Sequence, residues 1–259
     1  MRQNERFLEA MSYMNTTMKA DNKAGHQWTY CNVQSKKLKG GFEAKRKPGN
    51  PKAYKTNCVD GVQDALLMAG IPSSALAWYG GNGNIVWCNK NAEAEARKYF
   101  DIIPVKNKTL LQLWNDMELC DGDIPVGYVG FSHTNCYYGG SNYKKFFDSG
   151  HAYATPKSGE GARFSKWIGS MYYKNKKVKY LLRLKDRATY RVQAGAYNQL
   201  DKYAEQANYI RSKGYKVTCI EEDGMYKAQV GSFSGKSNAA RFAAMVKAAG
   251  IDCFVKEIT

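Results

Sequence analysis

The sequence predicts an α+β protein of two domains, and three observations predict it. An internal repeat with a spacing of 36 residues fills the C-terminal part of the chain. Upstream, a cysteine opens an amphipathic helix. Beyond residue 124 the texture changes to short apolar pieces separated by Gly, Tyr and Asn, the pattern of antiparallel strands with tight turns. At 259 residues, 44% hydrophobic and 13% aromatic, the chain can fill a large and a small core.

The repeat comes first because it is the clearest signal. Tyr190-Arg191-Val192-Gln193-Ala194-Gly195-Ala196-Tyr197 returns as Tyr226-Lys227-Ala228-Gln229-Val230-Gly231-Ser232-Phe233. Each copy alternates like a strand, with Tyr190, Val192 and Ala194 on one face and Gln193 and Gly195 on the other. A polar break follows, then a helical stripe: Tyr203, Ala207 and Ile210 in one copy, and Ala240, Ala243, Ala244 and Val246 in the other. Gly214 and Gly250 close the helices, and each is followed by a second strand. The spacing predicts βαββαβ, an antiparallel sheet with both helices on one face. Neither half is large enough to stand alone, so the two must share a core. The boundary is expected near residue 186, giving domains 1–186 and 187–259.

In the N-terminal part, residues 35–57 are rich in Lys, Gly and Pro and read as loop. Thr56 or Asn57 caps the helix that Cys58 begins. Val59, Val62, Leu66 and Ala69 form its apolar stripe, and Gly70 and Pro72 end it. A cysteine in a first helical turn meets the positive end of the dipole, which favours a thiolate. The free N–H groups there suit an oxyanion on an attacked carbonyl. A thiolate nucleophile needs a base, and the chain has three histidines. His133 lies in an alternating stretch with Asn135 and Tyr137. A hairpin through residues 139–142 would return Asp148 toward it, as the third member of a triad. His151 is the rival base.

Net charge is +16, divided as +12 (28 basic, 16 acidic) over residues 1–186 and +4 (11 basic, 7 acidic) over 187–259. Such a balance points to a polyanionic setting: nucleic acid, anionic lipid or a teichoic-acid wall. The seven cysteines include no CxxC pair, which argues against a zinc site and a disulfide framework. No run of about 18 apolar residues predicts a membrane span. The polar opening residues lack a signal-peptide core, so synthesis in the cytoplasm is expected.

Asn57-Cys58 opening a helix, Gly122-Asp123-Ile124, and His133 to Tyr137 followed by Phe147-Asp148 together resemble the NlpC/P60 superfamily over residues 20–185. The resemblance implies a papain-like fold, with the nucleophile helix packed on an antiparallel sheet. It implies Cys58, His133 and Asp148 as catalytic residues and no metal or cofactor. Tyr30 would line that site. Three positions depart from the family: Asn57 stands where Asp is usual, Val59 where Ser is usual, and Asp148 where His, Asn or Gln is usual. The repeat resembles the SPOR domain, which implies peptidoglycan as partner, with Gln193, Tyr197, Gln229 and Phe233 as substrate-binding residues.

The pairing implies a monomeric peptidoglycan hydrolase of endolysin type, cutting an amide bond in the stem peptide and acting on the cell wall without inserting into membrane. A CHAP-type N-acetylmuramoyl-L-alanine amidase is the alternative within the same chemistry. A wall-binding protein with a degenerate peptidase domain is the alternative outside it. Nucleic-acid binding is disfavoured because the chain has no aromatic-rich Gly-Phe-Gly-Phe strand.

Overall fold

The computed structural model describes residues 1–30, 41–47, 54–79, 85–87, 89–130, 133–139, 145–148, 163–166 and 175–258. The chain divides into two compact units, Met1–Arg187 and Ala188–Thr259.

The first unit begins with a long helix, α1 (Gln3–Lys23), which buries Phe7, Met11, Met14 and Met18 along one side. These four recur every three or four residues, so they form a single stripe. β1 (Thr29–Tyr30) and β2 (Lys55–Thr56) pair in parallel, with the short helix α2 (Gly41–Lys45) between them in sequence. α3 (Cys58–Met68) follows β2 directly and packs against α1 and α2. Its apolar stripe, Val59, Val62, Ala65, Leu66 and Ala69, is buried in the same core as the α1 methionines. The Gly70 and Pro72 punctuation ends it where the sequence predicts.

The hairpin β3 (Ala77–Tyr79) and β4 (Ile85–Trp87) precedes α4 (Ala92–Tyr99), β5 (Phe100–Pro104) and α5 (Leu110–Asn115). Thr109 caps α5 through a reciprocal box with Gln112. β6 (Ile124–Val126), β7 (Cys136–Tyr137), β8 (Lys145–Asp148), β9 (Arg163–Lys166) and β10 (Tyr180–Leu184) complete the unit. They form two antiparallel sheets, β5-β10-β6 and β7-β8-β9. Pro125 lies in the edge strand β6, where the missing N–H breaks no ladder between neighbours. Among the described residues the unit is thus a mixed helix-and-strand body with small sheets, not one broad sheet. β8 packs on α3.

The second unit runs β11 (Thr189–Tyr197), α6 (Leu200–Ser212), β12 (Thr218–Glu222), β13 (Met225–Phe233), α7 (Lys236–Ala248) and β14 (Phe254–Ile258). Its sheet order is β12-β13-β11-β14, antiparallel throughout, with the two repeat strands at the centre. Val192, Ala194, Ala228 and Val230 face both helices and bury against Tyr203, Ala207, Ile210, Ala239, Ala243 and Val246. The βαββαβ expectation holds, and the shared core explains why neither repeat half is independent.

Candidate functional sites

The thiol of the first unit is placed by its N-cap. Asn57 is extended (φ −146°, ψ −178°), and its Oδ1 accepts the Asp60 N–H at 2.9 Å. That bond fixes Cys58 as the first helical residue, where the N–H groups have no intrahelical acceptor. The parallel register Tyr30↔Thr56 then sets Tyr30 beside the turn into α3. Its hydroxyl lies 3.9 Å from Cys58 Sγ, within reach of a hydrogen bond to sulfur. Cys58 itself is 7% exposed.

His133 is buried ahead of β7, with its ring 5.8 Å from that of Tyr128. The alternating strand expected over His133, Asn135 and Tyr137 is shorter, confined to Cys136–Tyr137. Side-chain bonds replace the ladder before it: Thr134 Oγ1 donates to the Pro125 carbonyl at 3.1 Å, and the Tyr128 hydroxyl donates to Asn135 Oδ1 at 2.9 Å. β7 does pair with β8, through Cys136↔Phe147 and Tyr137↔Phe146. Asp148 ends β8 opposite Arg163. Continued by one residue, that register sets Asp148 level with Asn135, two residues from His133. Cys136 and Phe147 share the core of Cys58. His151 lies outside the described residues.

The other described thiols of this unit are held protonated. Burial, followed by the Asp123 charge, pushes Cys120 up to about 12, and the same causes raise Cys136 well above an ordinary thiol. Asp123, of the Gly-Asp pair, is fully buried and held by Arg183 at 2.6 and 2.8 Å and by Arg187 at 3.4 Å. Its backbone joins this pair to β7: Gly122 N–H donates to the Tyr137 carbonyl, and Tyr137 N–H to the Asp123 carbonyl. Among the described residues no group of three or more His, Cys, Asp and Glu is placed to hold a metal ion. No helix there is long and apolar enough to cross a membrane.

In the second unit the geometry separates the four residues expected to bind substrate. Gln193 and Gln229 are direct cross-strand partners on the sheet face away from the helices. Gln193 is 4% exposed; its Nε2 donates to the Gly195 carbonyl at 3.2 Å, and its buried Oε1 accepts no hydrogen bond from a described residue. Tyr197 and Phe233 lie on the helix side. Phe233 packs on Phe242 of α7 at 5.1 Å, and Tyr197 pairs with Tyr226, whose ring meets Tyr203 of α6.

This placement accounts for the Gly-x-aromatic spacing. The β11–β13 register slips on both sides of Gln193, and the glycine of each copy lies at a slip. A Cβ on Gly195 (φ +97°) would come within 2.9 Å of the Tyr197 ring, and one on Gly231 within 2.8 Å of the Phe233 ring. The aromatic two residues on folds back over its glycine, so the pair is a packing device.

Sequence reasoning missed the ionic cluster on the open face. Glu222 Oε2 receives Lys227 at 2.7 Å, and Arg191 and Lys256 each at 3.3 Å. Hydrogen bonds from Lys227 and then Lys256 hold the Glu222 carboxyl down to about 2. The repeat did carry a signal, since Arg191 and Lys227 occupy the same position in the two copies.

A repeat-built antiparallel sheet with one face closed by helices and the other lined by paired amides and cations defines a small recognition module. Residues 186–257 match the family model of the SPOR domain, and this part of the chain belongs to that family. The solution structure of the peptidoglycan-binding domain of the B. subtilis cell wall lytic enzyme CwlC is 34% identical to it. That match covers 30% of this chain and 98% of that domain, with a TM-score of 0.28. No curated protein matches the chain.

Proposed function

We propose that the chain is a peptidoglycan hydrolase in which the SPOR domain holds the wall and the first unit cuts an amide bond of the stem peptide. The binding half rests on the SPOR family match over residues 186–257. The catalytic half rests on one observation: Cys58 opens an Asn-capped helix, with the Tyr30 hydroxyl beside its sulfur.

In this reading the Cys58 thiolate attacks the amide carbonyl, and the first N–H groups of α3 receive the developing oxyanion. His133, which has taken the Cys58 thiol proton to form that thiolate, gives this proton to the leaving amine, which departs as the acyl-thioester forms. His133 then takes a proton from water, the resulting hydroxide attacks the thioester, and the carboxylate product leaves as the thiol is restored. Asp148, ending the strand that pairs with β7, orients the imidazole. Tyr30 positions the sulfur. Gln193 and Gln229 bind the glycan on the open sheet face, with Tyr197 and Phe233 supporting that face from the helix side.

Clearing of purified Gram-positive peptidoglycan by the full chain and by Cys58→Ala tests the reading. The parent clears and the variant does not, while both sediment with the wall. Mass analysis of the fragments then separates an endopeptidase from an N-acetylmuramoyl-L-alanine amidase. Sedimentation of both with no clearing of any wall by the parent overturns the catalytic half and leaves a wall-binding protein.

A further inference from the structure

Directly behind Cys58, three charged side chains are enclosed in the core. Lys45, the last residue of α2, is fully buried, and its Nζ donates to Asp60 Oδ2 at 2.5 Å and to Asp64 Oδ2 at 2.7 Å. Asp60 and Asp64 are one turn apart on α3, 3% and 2% exposed. Asp60 is two residues from Cys58, and its N–H is the one that Asn57 caps. The backbone of Lys45 is tied to the same place. Its carbonyl accepts the Tyr54 N–H at 2.9 Å, and the Tyr54 carbonyl accepts the Thr29 N–H at 2.8 Å, where β1 and β2 start to pair. One residue thus anchors both the strand pair that carries Tyr30 and the first turn of the helix that carries Cys58.

Neither the apolar core nor the catalytic groups named above call for this cluster. A core of this kind is built at least as well from apolar side chains, and two carboxylates facing one ammonium leave a net negative charge inside the protein. That charge lies within the first two turns of α3, where it opposes the dipole that favours a thiolate. We propose that Lys45 is a positioning residue for Cys58: with Asp60 and Asp64 it sets the charge behind the nucleophile and holds Tyr30 and Cys58 in register.

Among the described residues, the neighbouring charged groups have partners of their own. Thr56 of β2 bonds Asp60 through its side chain. Asp21, the buried carboxylate of α1, is occupied by Arg46 and the Trp28 indole. Glu43 of α2 is exposed and bound to Arg46 and Tyr13. β8 also packs on α3, and its Phe147 is buried in the same apolar core. Burial, then the Asp64 charge, raises the Asp60 carboxyl to about 7 against the pull of Lys45, and burial raises Asp64 as well. Both carboxyls therefore hold a proton more readily than free ones, and the cluster gains negative charge as pH rises.

The inference rests on Cys58 being the reactive thiol, and its test reads the thiol whether or not wall is cut. Iodoacetamide alkylation of the full chain is followed against pH and resolved by peptide mass spectrometry. Cys219, half-buried in β12 of the other unit, is the internal reference. Asp64 is six residues from Cys58, about 9 Å along the helix, and at that range a unit charge inside a protein moves a thiolate fraction roughly tenfold. Asp64→Asn keeps the shape and the Lys45–Asp60 pair but removes the excess charge, so Cys58 alkylation at pH 8 rises roughly tenfold. Lys45→Met moves it the opposite way by a similar factor, and Lys45→Arg restores part of the loss. Cys219 is unchanged in all three. An unchanged Cys58 profile in Asp64→Asn overturns the proposal, whether or not Lys45→Met folds. Loss of clearing in the parent would remove the hydrolase reading while leaving a shifted profile intact.

Discussion

The two units handle charge in opposite ways. In the first, one buried ammonium is shared by two carboxylates, Asp60 and Asp64, inside the core behind Cys58. In the second, one carboxylate, Glu222, collects Arg191, Lys227 and Lys256 on a sheet face. The first arrangement is short of positive charge and enclosed, so its cost and its influence on a neighbouring thiol are both large. The second has positive charge to spare beside Gln193 and Gln229, and over a third of the Glu222 side chain remains exposed. Enclosed charge suits a site that, in the proposed reading, tunes how readily a sulfur ionises. A half-open cationic face suits one that must bind and release an extended partner.

The largest effect that would sharpen the contrast is on stability. Removing one partner of a buried ion pair leaves the other uncompensated, at about 3–5 kcal/mol. Lys45→Met is therefore expected to lower the denaturant midpoint of the first unit steeply and leave the second in place. The chain supplies its own probe, because Trp28, Trp78, Trp87, Trp114 and Trp167 all precede residue 188. Tryptophan fluorescence follows the first unit alone, and hydrogen exchange in β11 and β13 follows the second. A single transition moved equally for both would break the comparison, since the units would then unfold as one.

How much of this was legible differed between the units for a physical reason. The second unit was read almost completely, because a repeat states every element twice: strand, helix and closing glycine recur at the same offset. What the repeat concealed was direction. The slips at Gly195 and Gly231 reverse the alternation, so Tyr197 and Phe233 turn to the helices while Gln193 and Gln229 stay on the open face. In the first unit the Cys58 helix was legible from its cap, stripe and stop. The strand at His133 was not, because side-chain bonds from Thr134 and Tyr128 replace backbone pairing there. Lys45 was unreadable in a run rich in lysine and glycine. Nothing in its neighbours separates one buried lysine from several others, and only the fold brings it to Asp60 and Asp64.

The next effect is on pH dependence, and its sign differs between units. The Asp60 carboxyl is raised from 3.8 to about 7, so the folded state binds more protons than the unfolded one between those values. Its contribution is present below about pH 4 and is lost as pH rises toward 7. Glu222 is lowered from 4.5 to about 2, so its contribution is present above pH 4.5 and is lost as pH falls through 2. The first unit is expected to unfold at higher denaturant at pH 5 than at pH 7.5, with the difference reduced in Asp60→Asn. The second is expected to weaken only in strong acid. The same slope in Asp60→Asn as in the parent would assign the pH dependence of the first unit to other groups.

The smallest effect concerns the open face. Gln193 Oε1 is buried and accepts from no described residue, while Gln229 beside it is only half-buried. A glycan hydroxyl reaches Gln193 Oε1 only when a local shift uncovers that atom; the bond then satisfies an acceptor that no described residue satisfies, which makes it the stronger contact of the two. One such bond contributes about 0.5–1.5 kcal/mol, so Gln193→Ala is expected to weaken sedimentation with purified wall roughly two- to tenfold, and Gln229→Ala by less. Alkylation of Cys58 stays at the parental rate in both, because neither lies in its unit. Equal wall affinity in a folded Gln193→Ala would move the glycan off this face. The groove along the start of α6, where Tyr197, Asn198, Lys202 and Met225 meet, would then be the next place to look for it.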